Sequence, residues 1–185
     1  MICVSGRRQV TDWPGTLCSY LCYDMEYKLR DAGSGEEELL ASIIRRAFRE
    51  VAERFGLTPE NCPTHPSNCT ADWIKAAFRK GIRYFILEAG DVPCGCIALE
   101  VVGAEICHLE RLAVLPEFRR WGFGKALVNH ALDMARQIGV GEVRLGMIAD
   151  HAELRAWYEK LGFTTKKRAR FDHLPFEVLF LSRTL

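Results

Sequence analysis

Two arginines, two glycines and a lysine lie close together in PEFRRWGFGKAL, residues 116 to 127. This stretch follows the apolar segment HLERLAVLP and precedes an apolar pattern of helical period, so it connects a predicted strand to a predicted helix. The N-terminus of a helix favours a bound phosphate, because its N–H groups are unpaired and its dipole is positive there. Gly122 and Gly124 would let the backbone approach such a ligand closely, and Arg119, Arg120 and Lys125 would add positive charge. The pattern favours an anion-binding loop, although taken alone it also fits a basic turn.

The loop does not match the common nucleotide-binding patterns. It is too short for an ATP-type phosphate loop and lacks that loop's Gly-Lys-Ser/Thr ending. It also differs from the GxGxxG pattern of dinucleotide-binding proteins, which is followed by an acidic residue. The sequence therefore predicts a pyrophosphate site of another kind.

Hydrophobic periodicity predicts the elements that would position this loop, in the order β-α-α-β-β-β-α-β-α-β-β. The first helix is predicted to begin with a capping box of Ser34 and Glu37, and the last with a cap of Asp150 and Glu153. Residues 57–69, LTPENCPTHPSNC, are predicted to form an irregular proline-rich loop. This order predicts a mixed α/β fold in one domain.

Residues 1–24 differ from the rest of the chain, because they hold three of the eight cysteines and show no sustained periodicity. We expect an N-terminal extension at 1–24 and a folded domain at 25–185. The sequence contains no apolar stretch of membrane-spanning length and no N-terminal secretory signal. We therefore expect a cytoplasmic protein with reduced cysteines and no membrane partner.

The composition is that of a soluble globular protein, with 49% hydrophobic and 26% charged residues among 185. The formal net charge is +1. A dedicated nucleic-acid-binding protein usually has a strong basic excess, so no nucleic-acid partner is expected. A monomer and a homodimer are both compatible with the sequence.

The strand, loop and helix resemble motif A of the GCN5-related N-acetyltransferases (GNAT), because Arg119, Gly122 and Gly124 match its pattern Q/R-x-x-G-x-G/A. WYEKLGF at 157–163 is similar to the end of motif B of that superfamily. The two motifs stand in the family's order and spacing, and the likeness in element order runs from Met25 to the C-terminus. It implies the GNAT fold, a central mixed, mostly antiparallel β-sheet with splayed parallel fourth and fifth strands, flanked by about four helices.

The resemblance implies that the chain is an N-acetyltransferase, which transfers an acetyl group from acetyl-CoA to a primary amine of a small molecule or peptide. The amine would attack directly in a ternary complex, and Tyr158 would protonate the leaving thiolate. His151 replaces an asparagine that many members carry, and could hydrogen-bond the cofactor or the next strand. The other residues implied to bind the cofactor are Leu112, Ala113 and Val114 for the pantetheine arm, and Arg119, Arg120, Trp121, Gly122, Phe123, Gly124, Lys125 and Ala126 for the pyrophosphate.

An amine acceptor must lose a proton before it attacks the thioester, so the reaction needs a general base. His108 and Glu110 are the candidates, because residues i and i+2 of a strand point to the same face. Some histone-modifying members place a base glutamate at the position of His108, and neither candidate stands ahead of the other. A backbone N–H of Ala113 or Val114 would stabilise the oxyanion.

The segment CPTHPSNC allows two interpretations. Cys62, His65 and Cys69 are three candidate zinc ligands, with His108 as a candidate fourth, although their spacing is not that of a common zinc finger. The favoured interpretation requires no metal and follows from the resemblance: this loop, together with His173 in the last hairpin, forms a wall of the acceptor site.

A non-catalytic acyl-CoA-binding sensor on the same fold is the alternative to an enzyme. Tyr158 and the polar pair His108 and Glu110 argue against it, because a sensor has no use for an acid and a base.

Overall fold

The structure is a computed structural model that describes residues 26–185. The expected extension at residues 1–24 lies outside the described residues, as does Met25. Within residues 26–185 the predicted order of strands and helices is confirmed. The strands are β1 (Tyr27–Asp31), β2 (Arg83–Ala89), β3 (Val92–Val102), β4 (Ile106–Val114), β5 (Glu142–Ile148), β6 (Thr164–Arg170) and β7 (Glu177–Thr184). The α-helices are α1 (Glu37–Arg54), α2 (Ala71–Arg79), α3 (Phe123–Gln137) and α4 (Ala152–Lys160).

The strands form one sheet in the order β1-β2-β3-β4-β5-β7-β6. Only β4 and β5 are parallel, and all other neighbours in this sheet are antiparallel. The parallel pairing ends at His108 and Arg144, although both strands continue beyond these residues. The strands therefore diverge and leave a gap, which we call the wedge. The predicted GNAT fold with splayed parallel strands is thus confirmed.

Helices cover the centre of the sheet. The segment Cys94–Leu99 of β3 is buried throughout, which requires cover on both faces of the sheet. Helix α1 packs against β3, β4 and α2, and α3 packs against β2, β3 and β4. These contacts hold β4, one wall of the wedge, in the buried centre of the sheet.

The predicted capping box at the start of α1 is wrong. The N-cap residue is Glu36, and no side chain caps the helix. Two glutamate side chains accept backbone N–H groups of the turn before the helix instead. Glu36 accepts the N–H of Gly33 at 2.8 Å, and Glu37 accepts the N–H of Gly35 at 3.0 Å. The acidic side chains fold back on the turn, so Ser34 is not needed as a cap.

The predicted cap of α4 is also wrong. His151 is the N-cap residue, and its Nδ1 accepts the N–H of Leu154 at 3.3 Å. Asp150 forms an ion pair with Arg168 of β6 at 2.7 Å instead. The Asp150 carboxylate, which the sequence spacing assigned to α4, is therefore bound by β6.

The proline-rich segment is more regular than predicted. It contains a 3₁₀ turn at Pro66–Asn68, whose start is capped by His65 Nδ1, which accepts the N–H of Ser67 at 3.3 Å. Among the helices of residues 26–185, none combines the length and apolarity that crossing a membrane requires.

Candidate functional site

The wedge opens into a cleft of about 1810 Å³. Its lining comes from α1, β4, the loop before α3, β5, α4 and the C-terminal hairpin of β6 and β7. The structure brings thirteen of the fifteen predicted site residues to this cleft; the two that do not line it are Trp121 and Ala126. Trp121 is 53% exposed on the outside of the loop.

The loop before α3 turns sharply through two left-handed residues. Arg120 has φ 71° and Gly122 has φ 83°. Gly122 is the N-cap residue of α3, no side chain caps this helix, and its C=O accepts the N–H of Ala126 at 3.0 Å. The N–H groups of the first helical turn therefore remain available, which is the arrangement that binds anions.

The two arginines of this loop occupy different environments. Arg119 is held against α1: its Nη2 donates to the C=O of Ala47 at 2.8 Å, and its Nη1 pairs with Glu50. Its Nε also donates to the C=O of Val114 at 3.3 Å. Arg120 lines the cleft and makes no side-chain hydrogen bond within the described part of the chain. Arg119 thus anchors the loop, and Arg120 leaves its charge to the cleft.

The two sequence motifs pack against each other at Gly124. A Cβ added at Gly124 would lie 3.4 Å from Cζ2 of Trp157, which belongs to α4. The next residue, Tyr158, is 5% exposed and stacks edge-on with Trp157 and Phe163 at ring-centroid distances of 4.9 and 5.5 Å. Burial raises the pKa of Tyr158 well above its usual value, so its phenol is protonated at neutral pH. A buried neutral phenol at the cleft is suited to donate a proton.

Strand β4 carries a β-bulge where it lines the wedge. Ala98 of β3 pairs with Glu110, but Cys96, two residues earlier, pairs with Ala113, three residues later. The additional residue lies at Arg111, whose φ of 49° is in the left-handed region. Bulges of this kind change the direction of side chains beside active sites.

His108 and Glu110 lie together at the cleft, and a third polar residue, Glu100 of β3, joins them. Glu100 pairs with His108 across the hairpin, and its Oε2 lies 3.6 Å from His108 Nδ1. Glu100 does not line the cleft, whereas His108 does. The sequence reasoning missed Glu100; the register of the hairpin that turns at Gly103 is the signal that would have found it.

The same three side chains are also the one group in residues 26–185 that brings three candidate metal-ligand atoms within 4.8 Å of one another. Exposed acidic groups are common without a metal, so this grouping alone does not indicate a metal site. Cys62, His65 and Cys69 do not form such a group. His65 lines the cleft, whereas His173, the second predicted wall residue, does not.

His151 lines the cleft and uses its Nδ1 to cap α4. Burial and the nearby charge of Arg54 lower the pKa of His151, which favours the neutral ring. Its ring lies 5.7 Å from that of Phe55, between the end of α1 and the start of α4. The side chain thus fixes the position of α4 and its tyrosine.

Comparison with known proteins gives a consistent result. Residues 38–163 match the model of the acetyltransferase (GNAT) family. The uncharacterized N-acetyltransferase YjgM of Escherichia coli (strain K12) is 31% identical over 123 residues, which are 65% of this chain and 74% of that protein.

Two solved structures share the fold. The crystal structure of the PaiA N-acetyltransferase from Thermoplasma acidophilum in complex with coenzyme A has a TM-score of 0.72 at 17% identity, covering 87% of this chain and all of that one (100%). That of the ribosomal-protein-S18-alanine N-acetyltransferase from Escherichia coli has a TM-score of 0.69 at 19% identity, covering 85% and 93% of the two chains.

Proposed function

The chain belongs to the GNAT family of acetyltransferases and is an acyltransferase, and on this basis we propose that it transfers the acetyl group of acetyl-CoA to a primary amine. The amine of a small molecule or peptide attacks directly, within a ternary complex. The observation that carries this proposal is the cleft itself, because a helix N-terminus without a side-chain cap, a polar pair on β4 and a buried tyrosine all line it.

The cofactor binds along one side of the cleft. Leu112, Ala113 and Val114 follow the point at which β5 leaves β4, so no strand pairs with that edge of β4 within the described residues. The backbone groups of this edge pair with the amide groups of the pantetheine arm as a neighbouring strand would. The N–H groups at the start of α3, with Arg120 and Lys125, hold the pyrophosphate.

His108 is the stronger of the two base candidates. With Nδ1 turned towards Glu100, its Nε2 is left to accept a proton from the ammonium group of the acceptor. Glu110 is the second candidate, acting directly or through a water molecule. Either group makes the amine nucleophilic before it attacks the carbonyl carbon of the thioester.

The remaining steps use groups on both walls of the wedge. The N–H of Ala113 or Val114 stabilises the oxyanion that forms when nitrogen bonds to the carbonyl carbon. When the carbon–sulfur bond breaks, Tyr158 gives its proton to the thiolate of coenzyme A. The nitrogen of the tetrahedral intermediate loses its second proton, which replaces the one that Tyr158 gave up, and the base returns the first proton to solvent. The products are the N-acetylated amine and free coenzyme A.

The experiment measures thiol release from acetyl-CoA over a panel of amines. We expect release with at least one class of amine, and we expect Tyr158→Phe to lower kcat well over tenfold while the Kd for acetyl-CoA changes little. Tyr27→Phe is the matched control, because Tyr27 lies on β1 and does not line the cleft. Binding of acetyl-CoA without thiol release on any acceptor would favour the sensor, and unchanged kcat in Tyr158→Phe would remove the tyrosine from the mechanism.

A further inference from the structure

We propose that the acceptor amine also carries a carboxylate, and that Arg111 binds this carboxylate at the bulge of β4. The inference rests on the proposed acetyl transfer, because it names the class of acceptor that the same cleft would take. Three features of Arg111 support it: its backbone conformation, its lack of a counter-ion and its position.

The backbone conformation of Arg111 is unusual for a residue with a side chain. Its φ of 49° lies in the left-handed region, where glycine and asparagine are the common residues. An L residue adopts this conformation at an energetic cost, and such residues cluster at functional sites. Glycine would adopt this conformation without strain, whereas the arginine occupies a position that disfavours a side chain.

Arg111 is a half-buried cation without a carboxylate partner. Its Nη1 bonds to the hydroxyl of Tyr84, and within residues 26–185 it makes no other side-chain hydrogen bond and no ion pair. Tyr84 is 1% exposed, and burial raises its pKa to about 12, so the phenol is neutral and does not balance the charge.

Two other arginines of the cleft are already paired, whereas the unpaired Arg120 lies in the loop before α3, away from β4. Arg144 pairs with Glu142 at 2.6 Å, and Arg54 pairs with Glu153 at 3.1 Å. A cation withdrawn from water is stabilised by an opposite charge. Within residues 26–185 Arg111 forms no ion pair, and the carboxylate of the neighbouring Glu110 acts on it without direct contact.

The position of Arg111 suits an acceptor that has both charges. Arg111 lines the cleft directly after Glu110, and His108 lies on the same strand. An ammonium group at His108 and Glu110 would place the attacking nitrogen, and a carboxylate on the same molecule would reach Arg111. Because Tyr84 occupies only Nη1, the Nη2 and Nε groups remain for the paired hydrogen bonds that a guanidinium makes to a carboxylate.

The test compares amino acids with their amides, which differ only at the carboxylate. Thiol release is measured for the standard α-amino acids and for ω-amino acids, each beside its amide, with the polyamine spermidine as a cationic acceptor. We expect kcat/KM for the best free acid to exceed that for its amide by about tenfold or more, the size of one charge-assisted contact. Equal rates for acid and amide, or a preference for spermidine, would overturn the inference and leave the acetyl transfer intact.

Variants then assign the preference to Arg111. Arg111→Gln should raise KM for the free acid about ten- to hundredfold and leave KM for the amide unchanged. Arg111→Gly should do the same while it relieves the left-handed strain, so a folding defect of the first variant does not obscure the result. Arg144→Gln is the control and should keep the preference, because that arginine is already paired. A preference that survives both Arg111 variants would contradict the assignment.

A binding measurement separates this inference from the proposed transfer. N-acetylated amino acids, and the corresponding amides, are titrated into the protein saturated with coenzyme A, and heat is recorded. Tighter binding of the acid form, lost in Arg111→Gly, supports the carboxylate site even where no amine releases thiol. Equal binding of both forms overturns it.

Discussion

Gly122 and Gly124 differ in backbone conformation, so alanine should have different effects at these two positions. Gly122 has φ 83°, and an L residue in the left-handed region is less stable by about 1–2 kcal/mol. Gly124 is the second residue of α3, and its added Cβ would make a contact at 3.4 Å with Trp157. Alanine is favoured over glycine in a helix interior by up to about 1 kcal/mol. We expect Gly122→Ala to lower the free energy of unfolding by up to about 1–2 kcal/mol and Gly124→Ala to leave it equal or slightly higher.

The strain in Gly122→Ala can also appear as weaker cofactor binding. If the free loop leaves the left-handed conformation, the N–H groups at the start of α3 lose their direction, and acetyl-CoA must restore it. The lost affinity is then at most the strain itself, a factor of about 5–30. The losses in unfolding free energy and in binding free energy together should therefore equal about 1–2 kcal/mol.

Urea unfolding and calorimetric titration with acetyl-CoA measure the two quantities on the same preparations. Gly124→Ala should bind acetyl-CoA like the unaltered protein, because its methyl group points at Trp157. Loss of affinity in Gly124→Ala would show that the methyl group meets the cofactor instead. Equal behaviour of the two variants would refute the reasoning about the loop.

Three further predictions follow from other contacts. Arg119→Gln should lower the free energy of unfolding by about 1–2 kcal/mol, because it loses two hydrogen bonds to backbone carbonyls. Arg120→Gln should leave the free energy of unfolding unchanged and weaken acetyl-CoA binding. Urea unfolding and calorimetric titration check both variants. If instead Arg120→Gln lowers stability and only Arg119→Gln weakens binding, the anchoring and binding roles of the two arginines are exchanged. Glu100→Ala should lower kcat about tenfold or more, with Kd for acetyl-CoA unchanged, because His108 loses the carboxylate that orients it. Glu100→Gln should recover part of kcat. Equal kcat in both variants and the unaltered protein would exclude this role for Glu100. Burial lowers the pKa of three histidines below the usual 6.5, namely His65, His130 and His151. Below about pH 6.5 the unfolded chain then binds more protons than the folded one, so the free energy of unfolding should fall with falling pH, by at most about 1.4 kcal/mol per pH unit for each histidine. Urea titrations between pH 8 and about 5.5 check this sign, and a free energy that rises on acidification would contradict it.

The order of elements could be predicted because hydrophobic periodicity is a local property of the chain. The same is true of the loop from Arg119 to Lys125, where glycine positions and charge follow directly from the sequence. Helix caps were harder to predict, because other side chains compete with the helix N-terminus for the capping group. Asp150 has the right spacing to cap α4, but Arg168 of a later strand takes its carboxylate at 2.7 Å, and His151 caps the helix instead.

Residues whose roles depend on strand register could not be identified from spacing alone. Glu100 meets His108 only because the hairpin turning at Gly103 sets these residues opposite each other. The role of Arg111 depends on the bulge, which gives β4 one more residue than the segment of β3 opposite. Charge type is likewise insufficient, since Arg119 and Arg120 have the same side chain, but Arg119 bonds to α1 and the left-handed Arg120 does not.

One feature of the sheet, the behaviour of β4 after His108, connects the parts of the site. The parallel pairing with β5 ends at this residue, which frees one edge of β4 at the wedge. The bulge that follows directs Arg111 towards Tyr84 while Glu110 stays beside His108 and Glu100. Deleting Arg111 would remove the bulge. Ala113 would stay opposite Cys96, but β4 would lose the bend that a bulge gives its strand, and with it the course that leads its free edge away from β5. We therefore expect this deletion to abolish acetyl-CoA binding, whereas Arg111→Gly, which keeps the count of residues, should leave it intact; calorimetry on both variants separates the bulge from the side chain, and retained binding in the deletion variant would refute the link between them.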